Sequence, residues 1–591
     1  MPHYCILYDT NKSRKQDFEA AACNELKLLG QKAEVIYWKD WLFVFATGLP
    51  KAYKVEVGPT HLRALWDVGL EMEEVLTLQA KGGSFADATS FGIWWEARAD
   101  GQLDLELDTM GIFPAYYWQS KEQIVVASSP GICLRHPGTS RKVDWIGISQ
   151  CLLHGQPVSG RSTWESVKRT QPWRKFHWKA GSGIREIDLQ PYAVENTKLG
   201  FEESAERSLA LLRESIQTIR QPSLTQMLSG GLDSRLLCGV LRESGKTPPT
   251  LLTLGNDSDQ EMKIANRVAA TLKWPRRIRE VEVSRYPEWF DRQIANCHIT
   301  AGVGDLTQWS LLDDPSLAGQ GLITGYLVYS SFGRAVFDRA RNPVTNKVDF
   351  EGFWACINRF GFPPEVVASL LRTPHAKEAV EAAIHEARQY FETAGGSPER
   401  KALFFYTNMR HRTHNGKHAW RLAHASQPLF PYGSSKLLRW GFEIPVEWSN
   451  GPQIHNYLLS RFYPDLARLP LDRNTLRIVP VLVDGFWRRA YWKLWNLWDA
   501  RARPILNQRR KESDLYYFRM YDFDNNPGWR KIRKDALASA AEQELFHPAV
   551  LRQELDYGGR EQWKDDRIQK SNGPKTLCGL VRWHKLQGAI G

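Results

Sequence analysis

The feature that most constrains this chain of 591 residues is a strand, a glycine turn and a helix run together. Leu224–Leu228 reads as a strand, Ser229-Gly230-Gly231 as a turn, and Asp233–Leu241 as a helix. An SGGxDS string arises by chance about once in a thousand chains of this length. Paired glycines let backbone N–H groups approach an anion closely. The helix N-terminus adds partial positive charge. The hydroxyls of Ser229 and Ser234 can donate to phosphate oxygens. Asp233 cannot donate, and its natural role is to hold a cation such as Mg2+. The GxxxxGK[ST] spacing of the commoner phosphate loop is absent.

Strands and helices alternate around this segment. Thr250–Leu254 is a second strand candidate, ending at Gly255 before a helix over Gln260–Thr271. Leu322–Thr324 is a third, ending at Gly325. Such alternation implies a parallel sheet covered on both faces. An amphipathic helix, Glu202–Arg220, precedes it, and the pattern from Glu365 to Trp440 is mostly helical. The first ~190 residues differ. Val35–Tyr37, Trp41–Ala46, Leu103–Leu107 and Ile124–Ala127 read as strands, with one helix over Gln16–Leu29. The polar stretch Leu189–Gly200 reads as a linker. Three units follow: 1–190, 200–480 and a basic extension over 481–591. In the last, Trp487, Trp492, Trp495 and Trp498 recur at helical spacing, as in a packed helix.

Composition excludes several classes. Hydrophobic residues make up 42% and charged residues 24%, as in a globular chain rather than a disordered one. No apolar run reaches the ~18 residues a membrane helix needs, and no secretory signal opens the chain. The eight cysteines form no CxxC pair, which fits a reducing compartment. Net charge is +12, yet no RNA-binding module is recognisable. These readings imply a cytoplasmic protein without nucleic-acid or membrane partners.

Met227–Arg235 resembles the PP-loop of ATP pyrophosphatases, which cleave ATP to AMP and pyrophosphate. Gly82–Ala86, Asp108–Tyr117, Ala127–Ser129 and Arg169–Pro172 together resemble the class II glutamine amidotransferase domain of asparagine synthetase B. Leu254-Gly255, Glu261–Ala269, Thr324–Tyr326, Asn408–Arg421 and Phe430–Tyr432 resemble that family's synthetase half. The resemblance implies an Ntn-hydrolase-like αββα sandwich, then a PP-loop (HUP-like) parallel-sheet α/β domain with a helical C-terminal part. It implies ATP and Mg2+ as cofactors. ATP would meet Leu228, Ser229, Gly230, Gly231, Leu232, Asp233, Ser234, Leu254 and Gly325, with Asp233 on the metal and Tyr326 in a catalytic role.

The chain departs from that family in three places. A glutaminase of this class needs an N-terminal cysteine whose own amine serves as base. Here Pro2 follows Met1 and Cys5 reads as a buried strand residue, so the N-terminal half is expected to be a degenerate glutaminase. Tyr329 stands where the family has a second metal-binding Asp, with Asp338 as a substitute. The family's lysine is replaced by Arg473 or Arg477, which suits charge stabilisation and not proton transfer. His414 and His418, at i and i+4, lack a third metal ligand nearby.

Family members without that cysteine include β-lactam synthetase and the lasso-peptide cyclases, which use an amine already present in the substrate. The expected activity is therefore ATP-dependent amide formation on a carboxylate-bearing small molecule or a precursor peptide, of the lasso-cyclase kind. A partner protease or leader-binding protein fits that expectation. Asparagine synthesis from free ammonia is one alternative, and a nucleotide-binding pseudoenzyme is another.

Overall fold

The structure is a computed structural model. It describes residues 3–28, 32–47, 53–189, 199–257, 259–297, 305–332, 340–446, 448–449, 451–472, 478–480, 520, 523–556 and 572–588.

The N-terminal half is two antiparallel six-stranded sheets packed face to face. One runs Lys168–Arg169, Tyr116–Gln119, Ile124–Ala127, Tyr4–Tyr8, Trp41–Thr47, Lys32–Trp38. The other runs Gly183–Asp188, Arg174–Lys179, Gln102–Leu107, Ile93–Arg98, His61–Trp66, Lys54–Val57. Aromatic rings fill the space between them. Phe43 meets Trp95 at 4.8 Å and Tyr8 meets Trp178 at 5.3 Å between ring centroids. Helix Lys12–Leu28 packs on the outside of the first sheet. Val75 and Phe85, from two helices, cover Leu65 and Trp94 on the outside of the second. The layers are thus α, β, β, α. This explains why Trp41–Ala46 is buried on both faces, since each face of the strand has an apolar neighbour.

The second half holds a five-stranded, all-parallel sheet. Its order is Arg276–Arg279, Thr250–Leu254, Leu224–Met227, Gly321–Ile323, Gln427–Leu429. The three strands read from sequence form its centre. The two edges were not read. Arg276–Arg279 is a half-exposed RRIR, and Gln427–Leu429 contains Pro428, which an edge position tolerates.

A helical run closes the space between the halves: Pro398–Phe405, then the π-helical Tyr406–Asn415, then Gly416–Leu422. Helices Pro527–Ala538, Pro548–Leu555 and Asn572–Gly588 form the C-terminal part. Arg582 pairs with Asp291 at 2.6 Å, and Trp583 packs at a tilt against Trp164 of the sandwich, with ring centroids 5.0 Å apart. The four tryptophans from Trp487 to Trp498 lie outside the described residues. None of the described helices is long and apolar enough to cross a membrane.

Trp95 is fully buried between the two sheets. Trp95→Ala should lower unfolding stability by about 3–5 kcal/mol. Denaturant titration measures this, and a loss below about 1 kcal/mol would contradict the packing described.

Candidate functional site

In the parallel sheet, strand order reverses between Leu224–Met227 and Gly321–Ile323. The segments leaving the carboxyl ends of these two neighbours diverge, and a crevice opens there. One segment is the glycine turn that starts helix Leu232–Glu243. The other is Thr324-Gly325-Tyr326. A cavity of about 340 Å³ fills the crevice. Leu228, Ser229, Asp233, Ser234, Leu254, Gly325 and Tyr326 all line it. The structure therefore brings together most of the residues singled out in the sequence.

The turn is held from below. Ser229 Oγ lies 3.1 Å from Ser234 Oγ and accepts from the Gly231 N–H at 3.2 Å. Gln226 Nε2 donates to the Ser234 carbonyl at 2.8 Å. Arg235, fully buried, donates to the carbonyls of Gly230, Leu466, Leu469 and Pro470. Burial pushes its guanidinium down to about 10, which still leaves it charged at neutral pH. Leu232 anchors the first helical turn in the core. The Asp233 carbonyl accepts from Tyr432 Oη at 3.0 Å, and its carboxylate lies 3.4 Å from Nε2 of the buried His455. Gly325 is where a side chain would crowd the turn, because a Cβ there would come within 3.3 Å of Asp233 Cβ.

Two polar atoms in the cavity wall stand out. The buried hydroxyls of Thr253 and Thr324 have no hydrogen-bond partner among the described residues. Buried hydroxyls are normally satisfied, so both fit a polar ligand in the crevice. The sequence reading placed Thr324 in the Thr324–Tyr326 segment but missed Thr253, because a threonine in a strand carries no signal of its own.

Beside Tyr326 lies a relay that was also missed. The Tyr326 ring stacks on His418, with centroids 4.3 Å apart and planes at 12°. Gln308 Nε2 donates to Tyr326 Oη, and Gln308 Oε1 lies 2.7 Å from His418 Nδ1. An amide oxygen only accepts, so His418 carries its proton on Nδ1. Asp305 Oδ2 is 3.7 Å from His418 Nε2, and its Oδ1 accepts from the Thr307 N–H and hydroxyl. Burial pushes Asp305 up, but nearby His418, Arg421 and Lys417 outweigh it and hold the carboxyl at about 2. Arg421 is fully buried, and among the described residues no guanidinium nitrogen of it has a hydrogen-bond partner. Burial pushes the Tyr326 phenol well up, so it serves as a donor and not a base. His414 and His418 ring centroids are 6.4 Å apart, and His418 is engaged by Gln308.

Arg473, Arg477 and Asp338 lie outside the described residues, as does the side chain of Tyr329. Among the described residues no three metal-ligating side chains gather in one place. Asp233 remains the carboxylate beside the phosphate turn, and its partial exposure to the cavity suits one ligand of a Mg2+ that phosphates help to bind. In the N-terminal half Cys5 is fully buried, and burial pushes its thiol well above the usual range. That thiol is not poised as a nucleophile.

The folded-state acidity of Asp305 lies below its unfolded value. Its contribution to stability is present above about pH 4 and is lost as pH falls towards 2. Asp305→Asn should therefore remove part of the acid-induced fall in melting temperature across that window. An unchanged acid limb would contradict the charge assignment.

Residues 209–298 match the family model described as asparagine synthase. That segment spans the glycine turn and the first three strands of the parallel sheet. No curated protein matches the chain. Among solved structures, glutamine phosphoribosylpyrophosphate amidotransferase from B. subtilis is 9% identical, covering 47% of this chain and 80% of its own, with a TM-score of 0.22. An NMN synthetase from Francisella tularensis is 14% identical, covering 32% and 96%, with a TM-score of 0.18. An NH3-dependent NAD synthetase from Campylobacter jejuni is 14% identical, covering 34% and 98%, also at 0.18.

Proposed function

We propose that this chain is an ATP-dependent carbon–nitrogen ligase of the asparagine synthetase type. It would adenylate a carboxylate, release pyrophosphate and join the acyl group to an amine. The observation that carries this reading is the Ser229–Ser234 turn, which opens into the cavity at the order reversal of the parallel sheet. The match of residues 209–298 supports it.

In this reading the N–H groups of the turn and the hydroxyls of Ser229 and Ser234 bind the phosphates. Thr253 and Leu254 lie along the neighbouring strand, where the nucleoside would rest. A carboxylate oxygen of the substrate attacks the α-phosphorus, and the α–β bridging bond breaks with pyrophosphate leaving. Asp233 would hold Mg2+, which supplies charge neutralisation for the leaving group. The amine then attacks the acyl carbon, loses a proton, and AMP departs. Because Gln308 donates to Tyr326 Oη, the Tyr326 proton is free to point into the cavity at the developing oxyanion. Arg421 and Lys417, behind His418, add positive potential to the same wall.

The buried Cys5 supports an amine that does not come from glutamine in this half. Within the class we favour a peptide-tailoring cyclase of the lasso kind, working with a precursor peptide and a protease or leader-binding partner. The asparagine synthase match favours ammonia-fed asparagine synthesis as the second reading.

The test is a product assay with ATP and Mg2+. One arm contains aspartate and ammonium, the other a candidate precursor peptide. AMP and pyrophosphate should appear in equal amounts in one arm and fall at least about a hundredfold in Asp233→Ala. Release with the peptide alone supports the cyclase, and release with aspartate and ammonium supports asparagine synthesis. ADP and phosphate as products, or release that survives Asp233→Ala, would overturn the proposal. Tyr326→Phe should lower kcat about tenfold or more with KM for ATP little changed.

A further inference from the structure

A second cavity, of about 300 Å³, lies between the sandwich and the second half. The sandwich supplies its 67–70 and 87–91 walls. The end of helix Phe201–Gln217, the stretch on to Gln221, and residues 428–436 supply the rest. One turn separates this cavity from the crevice. Gly433 sits between Ser90, which lines the one, and Leu327, which lines the other. A Cβ on Gly433 would come within 3.5 Å of Ser90 Cβ and 2.8 Å of Leu327 Cδ1. The neighbouring Tyr432 is the residue that donates to the Asp233 carbonyl.

The floor of the cavity is apolar. Leu211, Ile219, Phe91 and Phe430 are buried there, with the two rings edge to face at 6.2 Å. A space of this size at a junction of two units suits a small organic molecule and is far larger than a bare ion needs.

The polar atoms of the wall select the sign of the ligand's charge. Gln221 Nε2 donates to the Val68 carbonyl at 2.5 Å. A carbonyl only accepts, so the amide orientation is fixed and Oε1 is the atom left over. That buried oxygen has no hydrogen-bond partner among the described residues. Asp67 Oδ1 accepts from the N–H groups of Gly69 and Leu70 at 2.7 and 2.8 Å, and Oδ2 accepts from the Thr89 hydroxyl. One lone pair of Oδ2 therefore remains for a further donor. Two cations act on Asp67, but each forms its ion pair elsewhere: Lys54 with Glu71 at 2.8 Å and Arg220 with Glu74 at 2.7 Å. Lys54 and Arg220 against Asp67, Glu71 and Glu74 leave one negative charge. The other two carboxylates of the wall are balanced, Asp87 by Arg439 and Glu214 by Lys436. Burial pushes the Asp67 carboxyl up, as expected where positive charge is short. An orphaned amide oxygen and an underpaired carboxylate both call for N–H donors. Two such oxygens are too few to hold a metal ion.

We propose that this cavity binds a primary ammonium group carried on an apolar, aromatic body. The ammonium donates to Asp67 Oδ2 and Gln221 Oε1, and the body lies against Phe91 and Phe430. A ligand there rests on the turn that braces the phosphate-binding helix. No step of the ligase chemistry uses this cavity, so the site stands apart from that reading.

The test is calorimetric titration of the full chain, without nucleotide, with phenethylamine and with phenethyl alcohol, which has the same body and no charge. The amine should bind saturably with a Kd of about 1 mM or tighter, and the alcohol at least about tenfold more weakly. Asp67→Asn keeps the shape and an acceptor for Gly69 and Leu70, and should erase that preference. In the wild type the amine should slow amide exchange in peptides spanning 67–70 and 214–221, a readout that needs no variant to fold. Absence of amine binding, equal binding of the two probes, a preference that survives Asp67→Asn, or protection confined to other peptides would each overturn the proposal.

Discussion

Strand order reverses between two neighbouring parallel strands, Leu224–Met227 and Gly321–Ile323, and the rest of the site depends on that reversal. Strands with right-handed crossovers on opposite faces cannot fill the space beyond their shared carboxyl end. The crevice that remains receives a helix N-terminus from one side and the Thr324–Tyr326 segment from the other. Its charge is therefore built into the backbone before any side chain is chosen. The side chains refine it: Ser229 and Ser234 brace the turn, Gly325 leaves it room, and Arg235 ties the Gly230 carbonyl of the turn to three carbonyls of the 464–470 segment.

The central strands and the glycine turn were legible because local pattern and tertiary role agree there. Thr250–Leu254 is largely apolar because the sheet buries both its faces, while Leu224–Met227 was marked by the glycine turn that follows it, its buried Thr225 and Gln226 being polar. The helix over Gln260–Leu272 begins where its periodicity begins. The edges were hidden for the opposite reason, since an arginine-rich strand and a proline-containing one look like loops. The relay of Asp305, Gln308, Tyr326 and His418 was hidden too. Its members come from three separate segments, and only the fold brings them within hydrogen-bonding reach. The histidines at 411, 414 and 418 sit across a π-helical stretch, where spacings of four residues no longer mark one face.

The N-terminal half seats a residue of the second half on its own backbone. Asp108 accepts from two backbone N–H groups, Gly111 adopts a left-handed turn, and Thr170 offers a carbonyl. Together they receive Arg412 from the second half. Arg161 adds a further tie, bridging Asp144 of the sandwich and Glu386 of the helix Ala376–Glu392. The sandwich thus buttresses the helical run that carries Lys417, His418 and Arg421. Cys5, which lies fully buried in its central strand, contributes packing and not chemistry.

The central claim is that a nucleotide occupies the crevice between the two diverging segments. Amide hydrogen exchange of the full chain, with and without ATP and Mg2+, tests it most directly. The account predicts slowed exchange in peptides spanning 228–234 and 322–328, and little change around 108–113. Protection confined to other regions, or none at saturating ATP, would contradict it.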